Sequence, residues 1–485
     1  MKRSVLLLAL VTTAAWAQLT PADTVFAGLS ARTRSLAYRT AGGDMTAISP
    51  LMSQQNYRSL THAMVLMEGH AWTPDNELPT LLDFSISSKI VSTGENLSAR
   101  ATFLFDAPQT ENGPYRMRLD LLKADGTQEA AVEPGINIGA ARNRKSGEFS
   151  GLSFDPSKLV QPGLHTIKAT LEDSSGKPDF EYYRTFVIVS DLNKRVAALE
   201  KTLELLPDQK SPQALEARHT LETVKAAHAM YYAPGFQGLA GYVFTGMRAS
   251  GLGLKEAFDY EAGLARATKI PPPDRGDLFM AYRSPFDGKL VPYRVYVPTT
   301  YDKSKKYPLV VLLHGAGGDE TDFMDAYQGQ WPKLAEQRGY ILASVTGRGP
   351  LSGYSKESGG EQDVLDVMAL VKSNYNIGPV FLGGHSMGGA GTWRLGTLYA
   401  DRFAGLIPIA GTSAQVQLNP KMPVMIVCGV KDALVAVAGC RAVAEKAKSM
   451  PVKYSEYANG DHLSVAVMSI PDIFNWLDQQ TKERP

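Results

Sequence analysis

Between Leu82 and Ser190 the apolar residues fall into short runs that alternate with polar ones or are rich in β-branched side chains: 82–91, 95–105, 115–124, 163–171 and 180–190. Turn pairs such as Thr93-Gly94, Asp125-Gly126 and Ser175-Gly176 separate them. Period-two runs bounded by turn residues read as strands. At this spacing they predict an immunoglobulin-like β-sandwich over residues 80–190, preceded by a mixed, mostly helical segment over residues 18–79. After Asp191 the period turns helical. Leu192, Val196, Leu199 and Leu203 form one stripe, Pro207 stops it, and Ser211-Pro212 supplies an N-cap and a first-turn proline for a second helix. A helical connector over residues 191–270 follows, ended by the stiff break Pro271-Pro272-Pro273.

Beyond Asp274 strand and helix patterns alternate, which predicts an α/β domain with a mostly parallel sheet over residues 271–485. A hairpin is expected over 278–284 and 290–297 with Asp287-Gly288 in its turn. Buried strands are expected at 309–313, 340–345, 380–383, 405–410 and 424–428, with a last one at 453–457.

The first seventeen residues read differently. Met1-Lys2-Arg3 is a short positive start, Val5 to Val11 an apolar run, and Ala15-Trp16-Ala17 a small-x-small site, the pattern of a signal peptide cleaved after Ala17. The expected location is therefore secreted or periplasmic. The apolar run falls short of the about 20 residues that cross a bilayer, and no membrane anchor is expected. With 50 Lys+Arg against 49 Asp+Glu, the chain has no general basic field to gather nucleic acid. Its 485 residues suit about three domains. Cys428 and Cys440 are too few for a disulfide scaffold. An oxidising compartment permits a bridge between them, although two separate buried thiols is the reading slightly favoured.

The strand at 380–383 runs straight into Gly384-His385-Ser386-Met387-Gly388-Gly389 and then a helical stretch. Strand, G-x-S-x-G, helix is the setting of a nucleophile elbow, in which the glycines remove side chains that would clash in a tight, strained turn. A serine hydroxyl needs a base, and the base an orienting carboxylate. In this arrangement the acid follows the nucleophile in the chain and the base comes last. His462 is the only histidine after Ser386. Asp432 lies just past the strand 424–428, whereas Asp461 adjoins His462 and would have to fold back, and Asp401 precedes the expected strand. The candidate triad is Ser386, Asp432 and His462. Two backbone N–H groups are the candidates for an oxyanion hole: that of Met387, and that of Ala316 in the loop His314-Gly315-Ala316-Gly317-Gly318 after the strand 309–313. His314 and His385 are expected to serve loop packing.

These residues resemble a known family. Leu313 to Gly318, Gly347-Arg348-Gly349-Pro350 followed by Asp363-Val364, Gly384 to Gly389, Trp393 with Asp401-Arg402-Phe403, and then Asp432 and His462 are similar to the secreted serine esterases of the α/β-hydrolase superfamily. The group in question includes feruloyl and acetylxylan esterases and polyhydroxybutyrate-depolymerase-like enzymes. The resemblance covers about Asp274 to Lys482 and implies an α/β-hydrolase fold and cleavage of carboxylic esters, on plant polysaccharide or polyester among the candidates.

The stretch from Gly411 to Val424 is too short for a large lid, so an open cleft is expected, with the loop from Gly347 to Gly360 as one wall. In that loop Arg348 and Tyr354 are candidate substrate-binding residues, although pairing with a nearby acid such as Asp363 is the commoner role for an arginine placed like Arg348. Trp331 and Trp393 are expected in the core. The sequence carries no H-E-x-x-H, no Cys/His cluster with metal spacing and no phosphate-cradling loop, so neither metal nor cofactor is expected. Two other readings exist. A peptidase of the prolyl-oligopeptidase type shares the triad order, but a seven-bladed propeller at roughly 40–50 residues per blade does not fit before Asp274. A binding protein with an inactive hydrolase domain is the second.

Overall fold

Among the described residues the β-patterned region holds eight strands. The computed structural model describes residues 82–103, 116–123, 128–137, 148–154, 156–172, 175–176, 178–229, 254–268 and 274–482, apart from 317, 328, 350–351, 413–420, 433 and 449. The expected signal peptide, the helical segment over 18–79 and the Pro271–Pro273 break lie outside the described residues. Strands β1 (Leu82–Ile86), β3 (Leu97–Phe103) and β6 (Glu148–Phe154) form one sheet in the order β1-β3-β6. Strands β2 (Ile90–Ser92), β4 (Arg116–Lys123), β5 (Gln128–Asn137), β7 (Gly163–Glu172) and β8 (Pro178–Val189) form a second, ordered β2-β8-β7-β4-β5. β5 and β6 were not anticipated from the hydrophobic pattern.

Three helices follow among the described residues: α1 (Leu192–Leu205), α2 (Pro212–Ala229) and α3 (Leu254–Ala267). The stripe read in the sequence is the buried face, since Leu192, Leu199 and Leu203 pack with Leu221 and Val224 of α2, Leu264 of α3, and Ile90, Val187 and Val189 of the five-stranded sheet. The Ser211 hydroxyl accepts the N–H of Ala214 at 3.2 Å, so Ser211 caps α2 as its spacing predicts. α2 and α3 also meet the C-terminal region. The Arg266 guanidinium bonds the buried Glu216 at 2.9 Å and lies 3.5 Å from the ring centre of Phe279.

The C-terminal region holds one eight-stranded sheet of β9 (Gly276–Arg283), β10 (Leu290–Val297), β11 (Tyr307–Leu313), β12 (Ile341–Val345), β13 (Ile377–His385), β14 (Gly405–Ile409), β15 (Val424–Gly429) and β16 (Val452–Tyr457). Their order is β16-β15-β14-β13-β11-β12-β10-β9, and β10 alone runs against the others. β11 shows why the sheet is central. Leu309, Val311 and Leu313 enter one apolar cluster and Val310 and Leu312 the other, so the strand is buried on both faces. The chain leaves β11 for β12 on one side and returns to β13 on the other. Such a reversal opens a crevice at the carboxyl ends of the strands, and the loops after β11 and β13 stand beside it.

Helices α4 (Gln330–Arg338), α5 (Gly360–Asn374), α6 (Met387–Leu398), α7 (Val437–Lys446), α8 (Ser464–Met468) and α9 (Ile470–Lys482) complete this region. Trp331 and Trp393 are fully buried, as expected of core residues. The favoured reading of two separate thiols is corrected: Cys428 at the end of β15 and Cys440 on α7 are disulfide-bonded, their Cα atoms 6.6 Å apart.

Candidate active site

β13 ends at His385 and α6 begins at Met387, leaving Ser386 alone to turn the chain. It does so at φ 56° and ψ −113°, a conformation costly for a residue with a Cβ. The turn closes because its neighbours have no side chains. A Cβ on Gly384 would lie 2.8 Å from Leu313 Cβ, and one on Gly388 would lie 2.7 Å from the carbonyl oxygen of His314. Both are closer than real carbon contacts allow, so these glycines are what lets the elbow press against the end of β11.

The candidate acid and base follow β15 and β16, the second and third strands along the sheet from β13. His462 follows β16 and Asp432 follows β15, and both are buried, whereas Ser386 is partly exposed. His462 Nε2 lies 2.7 Å from Ser386 Oγ, and His462 Nδ1 lies 2.8 Å from Asp432 Oδ2. A carboxylate oxygen only accepts, so Nδ1 carries the proton and Nε2 is left to receive the serine hydroxyl. Asp432 is itself held, with Oδ1 accepting the N–H groups of Leu434 at 2.8 Å and Val435 at 2.7 Å. The competing aspartates are elsewhere. Asp461 accepts the N–H groups of Leu463 and Ser464 and the Ser464 hydroxyl, and Asp401 is exposed in a short 3-10 turn.

The glycine loop after β11 passes the same point. A Cβ on Gly315 would sit 3.5 Å from Ser386 Cβ, and Ala316 beyond it is exposed while Met387 starts α6. His314 and His385, expected to pack loops, are both buried against main chain. His314 Nε2 lies 2.8 Å from the Thr346 carbonyl, and His385 Nε2 lies 2.7 Å from the His462 carbonyl.

The two candidate substrate-binding residues are corrected. Tyr354 is fully buried and its hydroxyl donates to the His314 carbonyl at 3.1 Å. Its ring fills the space left by two glycines, since a Cβ on Gly347 would overlap it and one on Gly391 would lie 2.8 Å from its Cδ2. It braces the glycine loop from beneath. Arg348, only 10% exposed at its side chain, is 2.9 Å from Asp363 and donates to both oxygens of Asp287 at 2.9 Å. Asp363 has no exposed surface, and that burial pushes its carboxyl above the ordinary carboxylate value. An arginine so enclosed neutralises a buried acid and spends its charge on Asp363 and Asp287 of its own chain.

Sequence reasoning missed Tyr327, whose hydroxyl lies 3.1 Å from His385 Nδ1. An aromatic residue a short way past a glycine loop was the one signal available. A cavity of about 490 Å³ lies apart from the triad, between α2, α3 and β9, lined by Glu216, His219, Arg266 and Phe279 among others. Neither Ser386, Asp432 nor His462 borders it.

With strand order and elbow established, residues 310–470 match the model of the alpha/beta hydrolase family. The C-terminal region is an alpha/beta hydrolase domain. Part of this hydrolase-containing chain is similar to a probable dipeptidyl-peptidase 5 of Aspergillus clavatus, 34% identical over 88 residues, or 17% of this chain and 12% of that protein. Another match is the dihydrolipoyllysine-residue acetyltransferase component of the acetoin cleaving system of Pseudomonas putida, 29% identical over 110 residues, 23% of this chain and 28% of that protein. The chain thus spans 12% and 28% of the length of these curated relatives. Among solved structures, a thermostable esterase aligns with 81% of this chain and 99% of its own at TM-score 0.37 and 14% identity. A ferulic acid esterase from Anaeromyces mucronatus aligns with 42% of this chain and 91% of its own at TM-score 0.34 and 18% identity.

Proposed function

We propose that this protein is an exported serine esterase. The observation that carries the reading is the continuous chain from Ser386 Oγ through His462 to Asp432, with links of 2.7 and 2.8 Å, at the carboxyl edge of a hydrolase sheet. Ser386 Oγ attacks the ester carbonyl carbon while His462 Nε2 takes its proton. The oxyanion is held by the N–H groups of Met387 and Ala316. His462 then protonates the departing alcohol, leaving the acyl group on Ser386, and water repeats the sequence to release the carboxylic acid. Export rests on the pattern of residues 1–17. β14 ends at Ile409 and β15 begins at Val424, a connection too short for a large lid, which suits an ester displayed on a bulky molecule such as plant polysaccharide or a polyester.

Replacing Ser386 by alanine is expected to lower turnover of a p-nitrophenyl ester on the order of 10⁶-fold, as for a triad acting as a unit. Near-normal turnover rejects the assignment. A second reading, a serine peptidase, is favoured by the stretch that is 34% identical to a probable dipeptidyl-peptidase. A panel of acyl and peptidyl chromogenic substrates separates the two, since an esterase turns over the acyl set and leaves the peptidyl amides intact.

A further inference from the structure

His385 takes no part in the chemistry described above, yet its ring joins three pieces of the site. Its Nε2 lies 2.7 Å from the main-chain carbonyl oxygen of His462. Its Nδ1 lies 3.1 Å from the Tyr327 hydroxyl, and a Cβ on Gly315 would stand 3.4 Å from the same atom. The centres of the His385 and His462 rings are 4.9 Å apart. The partners fix the proton. A carbonyl oxygen only accepts, so Nε2 carries the hydrogen, and Nδ1 then accepts from the tyrosine hydroxyl. Burial, with His462 alongside, holds the His385 pKa down to about 3, so the ring is neutral near neutral pH. Neutrality matters here, because His462 becomes a cation during the reaction and a second positive ring at this distance would oppose it.

We propose that His385 is a positioning residue: its imidazole, held as the Nε2–H tautomer by the His462 carbonyl and accepting from Tyr327 at Nδ1, ties the main chain of His462 to the nucleophile elbow and so sets the reach of the base to Ser386. The inference rests on the serine-hydrolase reading of the same site. His385 and Ser386 are consecutive, so a donor fixed to the elbow holds the base loop in register with the hydroxyl it must deprotonate. A misplacement of about 1 Å in such a geometry costs on the order of 10²-fold in rate.

The test compares His385→Leu, His385→Gln and Tyr327→Phe with wild type on p-nitrophenyl acetate, per mole of folded full-length enzyme. His385→Leu removes the donor and is expected to lower kcat on the order of 10²-fold with KM nearly unchanged. Glutamine places an amide N–H near the Nε2 position and is expected to restore most of that loss. Tyr327→Phe removes one oxygen atom and is expected to lower kcat several-fold. Equal kcat in His385→Leu and wild type overturns the proposal, and so does an equal loss in the leucine and glutamine variants. Ring-nitrogen NMR spectra of isotope-labelled wild-type protein decide the matter should the leucine variant not fold. A neutral Nε2–H His385 is expected, and an imidazolium or an Nδ1–H tautomer overturns the assignment. Ser386→Ala runs in parallel. Undiminished turnover there rejects the serine-hydrolase reading itself, whereas its loss beside a fully active His385→Leu rejects only the positioning role.

Discussion

Asp432→Asn alters one atom of the site and reports on the whole hydrogen-bond chain. Two N–H groups, from Leu434 and Val435, point at Oδ1 at 2.8 and 2.7 Å. They cannot face an amide NH₂, so the asparagine oxygen must occupy the Oδ1 position and the NH₂ must turn toward His462 Nδ1, 2.8 Å from Oδ2 in the native protein. A donor now faces Nδ1, which becomes the acceptor, and the ring proton moves to Nε2. That nitrogen faces Ser386 Oγ at 2.7 Å and can no longer take its proton. The stability change should be small, because every N–H keeps an acceptor. The rate should fall by about 10⁴, the effect of a wrong-tautomer histidine in a triad, or about 5.4 kcal/mol in the barrier. The assay is kcat on a p-nitrophenyl ester near neutral pH, with thermal unfolding as the folding control. Asp461→Asn is the internal comparison. Asp461 is as close to His462 in sequence as a residue can be, but its carboxylate caps the turn into α8, so kcat should change less than threefold. A loss under tenfold in Asp432→Asn, or a larger loss in Asp461→Asn, would falsify the assignment of the acid.

Removing Arg348 by alanine leaves Asp363 buried beside the Tyr282 hydroxyl, 2.7 Å away, with its cationic partner gone, and should destabilise the fold by about 3–5 kcal/mol in urea unfolding while KM stays within twofold. A raised KM at unchanged stability would restore Arg348 to the substrate. Cys440→Ser opens the bridge that closes a loop of sequence separation 12, and should cost about 3 kcal/mol, read as a lower Tm that reductant reproduces in wild type and not in the variant. The buried His385 ring faces Tyr327, His462 and, further off, Asp432. Because its folded pKa, about 3, is depressed below the ordinary 6.5, the unfolded chain binds the extra proton between those values, so stability is full above 6.5 and is lost as pH falls. The loss attributable to this ring is about 2 kcal/mol on going from about pH 7 to about pH 5. His385→Gln should flatten the pH dependence of the urea midpoint by that amount, and parallel curves for the two proteins would contradict it.

The parts of the fold legible in the sequence are those in which one strand faces one environment. β15 is buried throughout and β11 from its second residue on, and their apolar runs say so. β5 was hidden for a physical reason. It is an edge strand, carries Pro134 and Gly135, and its pairing with β4 shifts register between Met117 and Leu119 and again between Leu121 and Leu122. Bulges of this kind break the period of two, and an edge tolerates the proline that a central strand would reject. β6 is likewise an edge, in the three-stranded sheet, and its partner β3 shifts register between Ala99 and Ala101. Cys428 and Cys440 illustrate a different limit, because strand-to-helix spacing permits a bridge without specifying how α7 turns over β15.

The candidate site divides along a similar line. Ser386, Asp432 and His462 each stand where a strongly patterned strand ends, and each must be one of a few residue types to do its work, so both position and chemistry are written in the chain. The residues that hold them are addressed differently. Tyr354 donates to the carbonyl of His314, His385 lies against the carbonyl of His462, and Asp432 is fixed by two main-chain N–H groups. Every residue offers a carbonyl and all but proline an N–H, so the far end of such a bond has no spelling of its own. Only the folded backbone selects it. Tyr354 therefore read as an aromatic contact for substrate although it is the brace beneath the glycine loop, whereas the pairing of Arg348 with the nearby Asp363 was legible in the sequence and only its second acid, Asp287, was not. A pattern of residue types thus points to the candidate reacting groups of this site more readily than to the frame that aims them, and substitutions in the frame are where a merely similar sequence and a working one would part.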